Sequence, residues 1–431
     1  MHLLRMDIAL NAGDTAWVLA STALVLLMTP GLAFFYGGMV RSKSVLNMMM
    51  MSFLTIGIVS VLWVVFGYNL AFGHNGESPW YGEFSFGNLE KLVTEFTNNG
   101  GQYPIPVLVF AAFQLMFAII TPALISGAIA DRTKFSAWAL FVVVWSTLVY
   151  FPVAHWVFDF GDKIGDTLHG VGFLAGQGVQ DFAGGTAVHI NAGAAGLALA
   201  IILGKRIGWR KENMRPHSLP LVLLGSGLLW FGWFGFNAGS ALAANGIAAL
   251  ALLNTQVATG AALIGWLVLE KIRDGRPTSL GAASGVVAGL VAITPACAFV
   301  TPIAAAIIGF IAGVVCALSV GLKFKFNFDD SLDVVGVHLV GGLWGCISIG
   351  FFGSKAVNEI GLNGLFNGGG FDLLNKQIFG ATFVLAYSFL VTLVVGFIIN
   401  KTIGFRVSEA AEIYGIDSNQ HAETAYMEVT R

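Results

Sequence analysis

Apolar residues gather along this chain in long runs that are separated by shorter polar stretches. Eleven of these runs are about 20 residues or longer, which is the length that an α-helix needs to cross the hydrocarbon core of a bilayer. The predicted spans are residues 15–37, 44–73, 103–130, 135–156, 182–204, 218–244, 245–270, 279–298, 301–322, 333–353 and 376–400. Strict alternation of apolar and polar residues is absent from the sequence, so helices rather than barrel strands are predicted.

The composition agrees with this pattern. Of the 431 residues, 56% are hydrophobic and 11% are charged, and the mean hydropathy is +0.78, whereas soluble domains carry about 25% charged residues. The sequence therefore predicts an all-α polytopic membrane protein with eleven transmembrane helices. Three parts are expected: an extracellular N-terminal segment of residues 1–14, a transmembrane domain of residues 15–400 and a cytoplasmic tail of residues 401–431.

The distribution of basic residues orients the chain in the membrane. An odd number of spans puts the termini on opposite sides, and lysine and arginine favour cytoplasmic loops. With the N-terminus outside, the inner loops and the tail hold 17 of the 22 lysine and arginine residues. We therefore expect an inner (plasma) membrane protein with its C-terminus in the cytoplasm. The tail is either a frayed, solvated end or a strip that docks onto the cytoplasmic loops or onto a partner.

Two histidines lie deep within predicted spans, where a polar side chain is costly and usually faces a cavity or a partner. His189 follows Asp181 by eight residues in the fifth span, and His338 follows Asp333 by five residues in the tenth. Because five spans separate them, the two helices enter from opposite faces, as in an inverted repeat. Each histidine would lie ~8 to 12 Å inside its own face, so the pair can meet near the midplane.

These residues also have purely structural interpretations. A buried histidine is often a neutral ring bonded to a backbone carbonyl, and Asp181 and Asp333 stand where a helix N-cap is expected. The cap is the role we assign to Asp333. Two histidines in symmetric positions favour a functional pair, because neutral rings can bond to each other and still offer a ring atom to a small guest.

Aromatic residues form a third candidate group. Phe113 and Phe117 lie four residues apart on one helix face, and the stretch WFGWFGFNAGS supplies Trp233, Phe236 and Ser240. Such residues commonly pack the core or face lipid. However, an aromatic face attracts a small cation by ~0.5 to 2 kcal/mol, and a hydroxyl can accept a hydrogen bond from an ammonium-type guest. An aromatic vestibule before a dry, histidine-lined passage would suit a guest that can lose its charge.

The motifs TPGLAFFYGGMVRSK, DFAGGTAVHINAG, GWFGFNAGSA and DVVGVHLVGG together resemble the ammonium transporter family, the Amt, Mep and Rh proteins, over nearly the whole chain. The resemblance implies a five-plus-five inverted repeat followed by one long final helix, and a homotrimer with one pore per subunit. No cofactor or metal is expected. The family's twin pore histidines, stacked phenylalanine gate and pore-lining tryptophan correspond to His189, His338, Phe117, Phe236 and Trp233. Its outer ammonium site corresponds to Phe113 and Ser240, and its aspartate for recruitment and deprotonation to Asp181.

One position departs from the family pattern. Bacterial members carry a tryptophan in the outer site shortly before the DFAGG element, and at that distance this chain has His169. The context PVAHWVF instead points to Phe158 followed by an insertion, with Trp156 close by. The replacement for the tryptophan is therefore open among these three residues.

The expected function is ammonium transport, in which ammonium is recruited outside, deprotonated and conducted as ammonia, with or without the proton; methylammonium would serve as an analogue. An ammonium sensor that acts through a cytoplasmic partner is the alternative, and a Rh-like carrier of ammonia or carbon dioxide is a third interpretation. The resemblance implies a PII-type signal protein as a partner at the cytoplasmic face, besides the lipid bilayer. No nucleic acid is expected.

An enzyme is not expected. The sequence contains no metal-ligand cluster, nucleophile elbow or phosphate loop. The adjacent Asp329 and Asp330 lie in a basic loop, where a solvated cap is the ordinary explanation.

Overall fold

The structure of the protein is a computed structural model, which describes residues 10–73, 78–87, 89–93, 95, 104–164, 167–169 and 171–426. Its main elements are eleven apolar helices. Within these residues, ten helices are long and apolar enough to cross a membrane, and the eleventh is shorter. In chain order they are α1 (Ala12–Met39), α2 (Ser42–Phe72), α3 (Val107–Ile129), α4 (Phe135–Phe158), α5 (Gly185–Leu203), α6 (Leu219–Gly239), α7 (Gly246–Asp274), α8 (Ser279–Ile293), α9 (Pro302–Phe326), α10 (Val335–Phe352) and α11 (Asp372–Thr402). The predicted multi-pass helical membrane fold is confirmed.

The connection between α4 and α5 carries a small hairpin of two antiparallel strands, β1 (Asp162–Ile164) and β2 (Thr167–His169). It occupies the stretch where the sequence indicates an insertion after Phe158. Of the N-terminal segment predicted as residues 1–14, residues 1–9 lie outside the described part of the chain.

The predicted and observed boundaries differ clearly at α8. The apolar run of residues 279–298 predicts one span, but the helix ends at Ile293 and the chain then forms turns up to residue 300. Pro295 lacks the amide hydrogen that the helical ladder needs. Its carbonyl accepts a hydrogen bond from the Phe182 amide at 3.1 Å, so this turn lies against the entry to α5.

Glycines let the long helices approach closely, as is common in membrane proteins. Helix α1 packs along α6, and α7 packs along α9. A Cβ atom on Gly225 of α6 would lie 2.3 Å from the amide nitrogen of Phe35, and one on Gly309 of α9 would lie 2.1 Å from the carbonyl oxygen of Ala258. Larger residues at these two positions would force the paired backbones apart.

Helices α5 and α10 share an unusual beginning. Each starts with a wide turn of π-type hydrogen bonding, Gly185–Ile190 in α5 and Val335–Leu339 in α10. Such turns are rare and often occur at functional sites. His189 lies in the first turn and His338 in the second, so the two helices that hold the histidines start in the same way, five spans apart.

The described part of the tail forms two short helices, α12 (Glu409–Tyr414) and α13 (Ile416–His421). The carboxylate of Asp417 accepts hydrogen bonds from the amides of Leu46 and Asn47 at 3.0 and 2.8 Å, and that of Glu412 accepts one from the Ile207 amide at 2.6 Å. The tail therefore packs onto the helix ends and loops at one face of the bundle.

The same face contains a buried cluster of ion pairs. Asp329 is fully buried and accepts two hydrogen bonds from the Arg206 guanidinium, both at 2.9 Å, while Arg132 lies 3.9 Å away. Burial acts to raise the pKa of Asp329, but the two arginines outweigh it and hold that pKa below its usual value. Asp330 is buried as well. The expectation that these two aspartates are solvated is wrong, because the loop folds over its own charges.

Candidate functional site

His189 and His338 meet inside the helix bundle. Their Nδ1 atoms lie 3.4 Å apart, and their rings are nearly parallel, with centroids 5.4 Å apart and an interplanar angle of 26°. Both side chains are buried, and Nε2 of His189 has no hydrogen-bond partner in the protein. A neutral imidazole has one donor and one acceptor, so the contact between the Nδ1 atoms leaves one Nε2 as a donor and the other as an acceptor.

The rings of Trp233 and Phe236 hold His189 in place. His189 stacks on Trp233 with centroids 5.3 Å apart and an angle of 20°, and Phe236 lies 6.1 Å away at 27°. The indole of Trp233 donates a hydrogen bond to the Thr294 hydroxyl at 2.8 Å. Thr294, which the sequence analysis missed, thus fixes the ring on which the histidine rests.

Phe117 and Phe236 pack against each other beside His189. Their ring centroids lie 4.3 Å apart with an interplanar angle of 32°, and Phe113 packs edge-on against Phe117 at 4.9 Å. All three side chains are buried. The three rings therefore form a closely packed aromatic cluster between Ser240 and His189.

A small vestibule lies on the far side of Phe117. Its cavity volume is about 40 Å³, where ~10 to 15 Å³ is enough for one water-sized guest. It is lined by Phe110, Phe113, Gln114, Phe117, Phe158, Phe160, Phe182, Ser240 and Leu242. The Ser240 hydroxyl donates its hydrogen to the Phe236 carbonyl at 2.8 Å, so its oxygen remains available as an acceptor.

Among the three candidates for the missing tryptophan, Phe158 lines the vestibule. Trp156 packs on Tyr387 with ring centroids 4.7 Å apart and donates to the Trp80 carbonyl at 2.7 Å, away from the cavity. His169 lies in β2, and its side chain is outside the described part of the structure.

Sequence reasoning missed five of the lining residues. Phe110 was within reach, because it lies three residues before Phe113 and therefore on the same helix face as the predicted pair. Gln114 gave no signal, and loop geometry brings in the others, which are Phe160, Phe182 and Leu242.

Asp181 does not belong to the lining of the vestibule. Its Oδ1 accepts hydrogen bonds from the amides of Gly184 and Gly185 at 2.7 and 2.8 Å, and its Oδ2 accepts from the Thr186 amide at 2.7 Å, from the Thr186 hydroxyl and from the Ala187 amide at 3.4 Å. Both oxygens are thus engaged by the first turn of α5. This geometry fits a helix cap whose charge stabilises the turn that carries His189.

Asp333 is not the cap of α10, and the sequence assignment is wrong there. The cap is Asp330, whose two oxygens accept from the amides of Val334 and Val335 at 3.1 and 2.7 Å. Asp333 has a positive φ of 64° and pairs with the Lys323 ammonium at 2.6 Å. His338 follows Asp330 by eight residues, the same spacing that separates Asp181 from His189, so equal spacing could have identified the cap.

A second, smaller cavity of about 10 Å³ lies on the other side of the histidine pair, where His338, Asp333, Tyr36 and Ser284 are among its lining residues. The vestibule is lined by Phe117 and the smaller cavity by His338, and a row of ring contacts through Phe236 and His189 lies between them. Within the described residues, no group of three or more His, Cys, Asp or Glu side chains is arranged to hold a metal ion.

The chain is similar to proteins of one family. The sequence model of the Ammonium Transporter Family matches residues 16–426. The ammonium transporter of Mycobacterium tuberculosis (strain ATCC 25618 / H37Rv) is 54% identical over an alignment of 440 residues that covers 96% of this chain and 90% of the relative. That of Bacillus subtilis (strain 168) is 46% identical, with 97% and 100% covered.

The fold of this chain is also similar to that of solved Mep and Amt proteins. The crystal structure of Candida albicans Mep2 has a TM-score of 0.83 at 30% identity and covers 93% of this chain and 87% of that one. A sensor Amt protein has a TM-score of 0.84 at 27% identity, with 95% and 98% covered.

Proposed function

The chain belongs to the ammonium transporter family, and we propose that it recruits ammonium at the vestibule, removes the proton and conducts ammonia past the two histidines. The observation that carries this proposal is the 3.4 Å contact between Nδ1 of His189 and Nδ1 of His338, whose side chains are both buried. Because this contact uses both Nδ1 atoms, the Nε2 atom of each histidine is left to bond a neutral guest, and neither Nε2 atom requires a charge on that guest.

Ammonium loses its proton because the passage beyond the vestibule is apolar. Transfer of an ammonium-sized ion into a medium of low dielectric constant costs ~20 kcal/mol in the idealised limit and several kcal/mol in real proteins. One aromatic face returns only ~0.5 to 2 kcal/mol. Releasing a proton at pH 7 from an ammonium group with the pKa of lysine costs ~5 kcal/mol. Over most of the range from several to ~20 kcal/mol, the cost of moving the unpaired cation into the apolar region exceeds this cost of deprotonation.

The vestibule holds the cation before it loses the proton. The oxygen of Ser240 is a hydrogen-bond acceptor, since its own hydrogen is committed to the Phe236 carbonyl. Phe113, Phe117 and Phe158 line the vestibule, and aromatic rings attract a small cation. In this proposal Phe158 replaces the tryptophan of the family's bacterial members.

Asp181 acts through the helix that it caps. With both oxygens engaged by the start of α5, the carboxylate has no free lone pair aimed at the vestibule, but its charge favours a cation nearby. We propose that Asp181 supports the recruitment and deprotonation of ammonium in two ways: through the electric field of its charge, and by holding the turn of α5 that carries His189. Phe117 and Phe236 act as the gate, and Trp233 is the rigid wall of the pore.

Competition by potassium tests this proposal. Purified protein in proteoliposomes is expected to take up labelled methylammonium, and a hundredfold excess of potassium chloride is expected to leave the rate unchanged relative to an equal concentration of choline chloride. Ammonium chloride at the same excess is the positive control and should suppress uptake. Potassium cannot give up a proton, so inhibition as strong as that by ammonium would show that the site passes cations, against the proposal.

An ammonium sensor that acts through a cytoplasmic partner is the second candidate, and the packing of the tail favours it. A tail held by Asp417 against the start of α2 and by Glu412 against the loop that follows α5 is suited to transmit a change in those helices. The same liposome assay separates the two functions, because a pure sensor takes up no methylammonium.

Three further assignments complete the proposal. The N-terminus lies outside and the C-terminus in the cytoplasm, because the face that carries the tail also carries most of the basic residues. The protein forms a homotrimer in the plasma membrane, and a PII-type protein binds the cytoplasmic face. Cysteine labelling from either side, native mass spectrometry and co-purification with a PII protein test these assignments in turn.

A further inference from the structure

Hydrogen-bond acceptors surround His155 near the end of α4. Its Nδ1 lies 3.0 Å from the Ala71 carbonyl oxygen and 3.1 Å from Oδ2 of Asp159, and its Nε2 lies 3.1 Å from the Ser78 carbonyl oxygen. The side chains of both His155 and Asp159 are only 2% exposed. Water therefore has little access to either ring nitrogen.

The acceptors determine the protonation state of this ring. A carbonyl oxygen accepts and never donates, and a neutral imidazole carries only one N–H group. In the neutral form, the lone pair of the second nitrogen would face an oxygen at about 3 Å, which buried polar groups avoid. Only the doubly protonated imidazolium donates at both nitrogens, and the carboxylate of Asp159 supplies the opposite charge that a buried cation needs.

We propose that His155 is an imidazolium that, together with Asp159, positions Phe158 in the wall of the vestibule. The pair joins three segments: the end of α2 through Ala71, the following loop through Ser78, and the end of α4. Phe158 directly precedes Asp159, lines the vestibule and lies 6.4 Å from the Phe117 ring, centroid to centroid. Without the cation, the end of α4 loses its attachment to the neighbouring loop and the aromatic wall shifts.

The chain beyond α4 is anchored at the same point. Oδ1 of Asp159 accepts the Gly161 amide at 2.9 Å, and its backbone carbonyl accepts the Gly172 amide at 2.9 Å. Residue 172 crosses so close to the helix that a Cβ there would lie 2.0 Å from the His155 carbonyl oxygen. The ion pair therefore fixes both ends of the insertion that contains the hairpin.

His217 provides a matched comparison. Its Nδ1 lies 2.9 Å from the Val40 carbonyl oxygen, and its Nε2 lies 2.7 Å from the hydroxyl of Tyr426. Because a hydroxyl can donate as well as accept, a neutral His217 satisfies both contacts. Two oxygen neighbours alone thus do not require an imidazolium, whereas carbonyl and carboxylate neighbours do.

The protonation state is tested by solid-state NMR of the full-length protein, labelled with ¹⁵N-histidine, in lipid bilayers at pH 7.5. We expect one histidine with two protonated ring nitrogens, and we expect this signal to be missing from the spectrum of His155→Gln. A wild-type spectrum without such a signal, or one in which the signal survives in His155→Gln, overturns the inference.

The positioning role rests on the proposed function and is tested by methylammonium uptake. His155→Gln and Asp159→Asn are each expected to raise KM about 5- to 10-fold with little change in kcat, and the double variant no more than either, because the two residues act as one unit. His217→Gln is the control and should match the wild type. Asp159→Asn keeps the side-chain volume, so it carries this test if His155→Gln is not recovered as a monodisperse protein.

The outcomes separate the two proposals. Wild-type protein that takes up no methylammonium refutes the proposed function, and the NMR spectrum then still decides the state of His155. Active wild-type protein with folded variants of unchanged KM, or with effects that multiply in the double variant, refutes the positioning role alone.

Discussion

The variant Asp181→Asn tests whether the Asp181 carboxylate acts by capping α5 or by reacting directly with the proton of the substrate. The carboxylate accepts from Gly184 and Gly185 with one oxygen and from the amide and hydroxyl of Thr186 with the other. An asparagine offers one oxygen and one NH₂ group, so in either orientation at least two buried donors lose their acceptor. Each such loss costs ~1 to 3 kcal/mol, and we expect Asp181→Asn to destabilise the protein by ~2 to 6 kcal/mol.

The assay compares unfolding and transport in the same preparations. Thermal unfolding of the purified variant in detergent should shift clearly downward, and methylammonium uptake in liposomes should fall because the turn that carries His189 is no longer fixed. Asp14→Asn is the matched control, since the Asp14 carboxylate accepts one exposed hydrogen bond, from the Ala244 amide at 2.8 Å, and surface substitutions change stability by only ~0.5 kcal/mol.

A specific combination of results would refute this reasoning. If Asp181→Asn unfolds at the wild-type temperature and yet transports nothing, the carboxylate is not needed as a cap. It would then act on the substrate through its charge or directly on the substrate's proton, and the assigned support of the His189 turn would be wrong.

Other consequences of the structure can be measured as well. Burial and the charge of Asp333 raise the pKa of Asp330 to about 6, above the ~3.9 of an unfolded aspartate. The resulting ~3 kcal/mol of stability is therefore present below about pH 4 and lost as the pH rises through 6. A protonated-carboxyl infrared band at pH 5 that is missing from Asp330→Asn would agree, and stability that stays level from pH 4 to 7 would not. Gly309→Ala should strongly reduce the yield of folded protein, because its Cβ would lie 2.1 Å from the Ala258 carbonyl oxygen. Gly227→Ala, with open space around the new Cβ, should remain at wild-type yield, and equal yields of the two variants would contradict the close packing.

The sequence predicts the helices well because hydropathy over about 20 residues is a local property. It fails where a single residue overrides the average, as at α8, where Pro295 follows the end of the helix within an apolar run. The hairpin after Phe158 falls where an insertion was expected, but the residues that its loops bring to the vestibule follow no helical period.

In the candidate site, too, some residues can be predicted from local sequence and others cannot. Hydropathy and spacing identify His189 and His338, because an imidazole within an apolar span is conspicuous. Asp333 lies closer to the start of α10, but Asp330 is its cap, and only the eight-residue spacing shared with Asp181 and His189 points to Asp330. Thr294 was missed because its partner, Trp233, lies 61 residues away in sequence, and only the fold brings them together.

In the proposed mechanism, ammonia passes two neutral imidazole rings that contact each other. The most direct measurement is the current that an ammonium pulse evokes on a supported membrane, recorded with labelled methylammonium uptake in matched proteoliposomes. His189→Ala and His338→Ala are each expected to lose ammonium-coupled transport while His217→Ala retains it. Wild-type rates of methylammonium uptake in either pore variant would contradict the account.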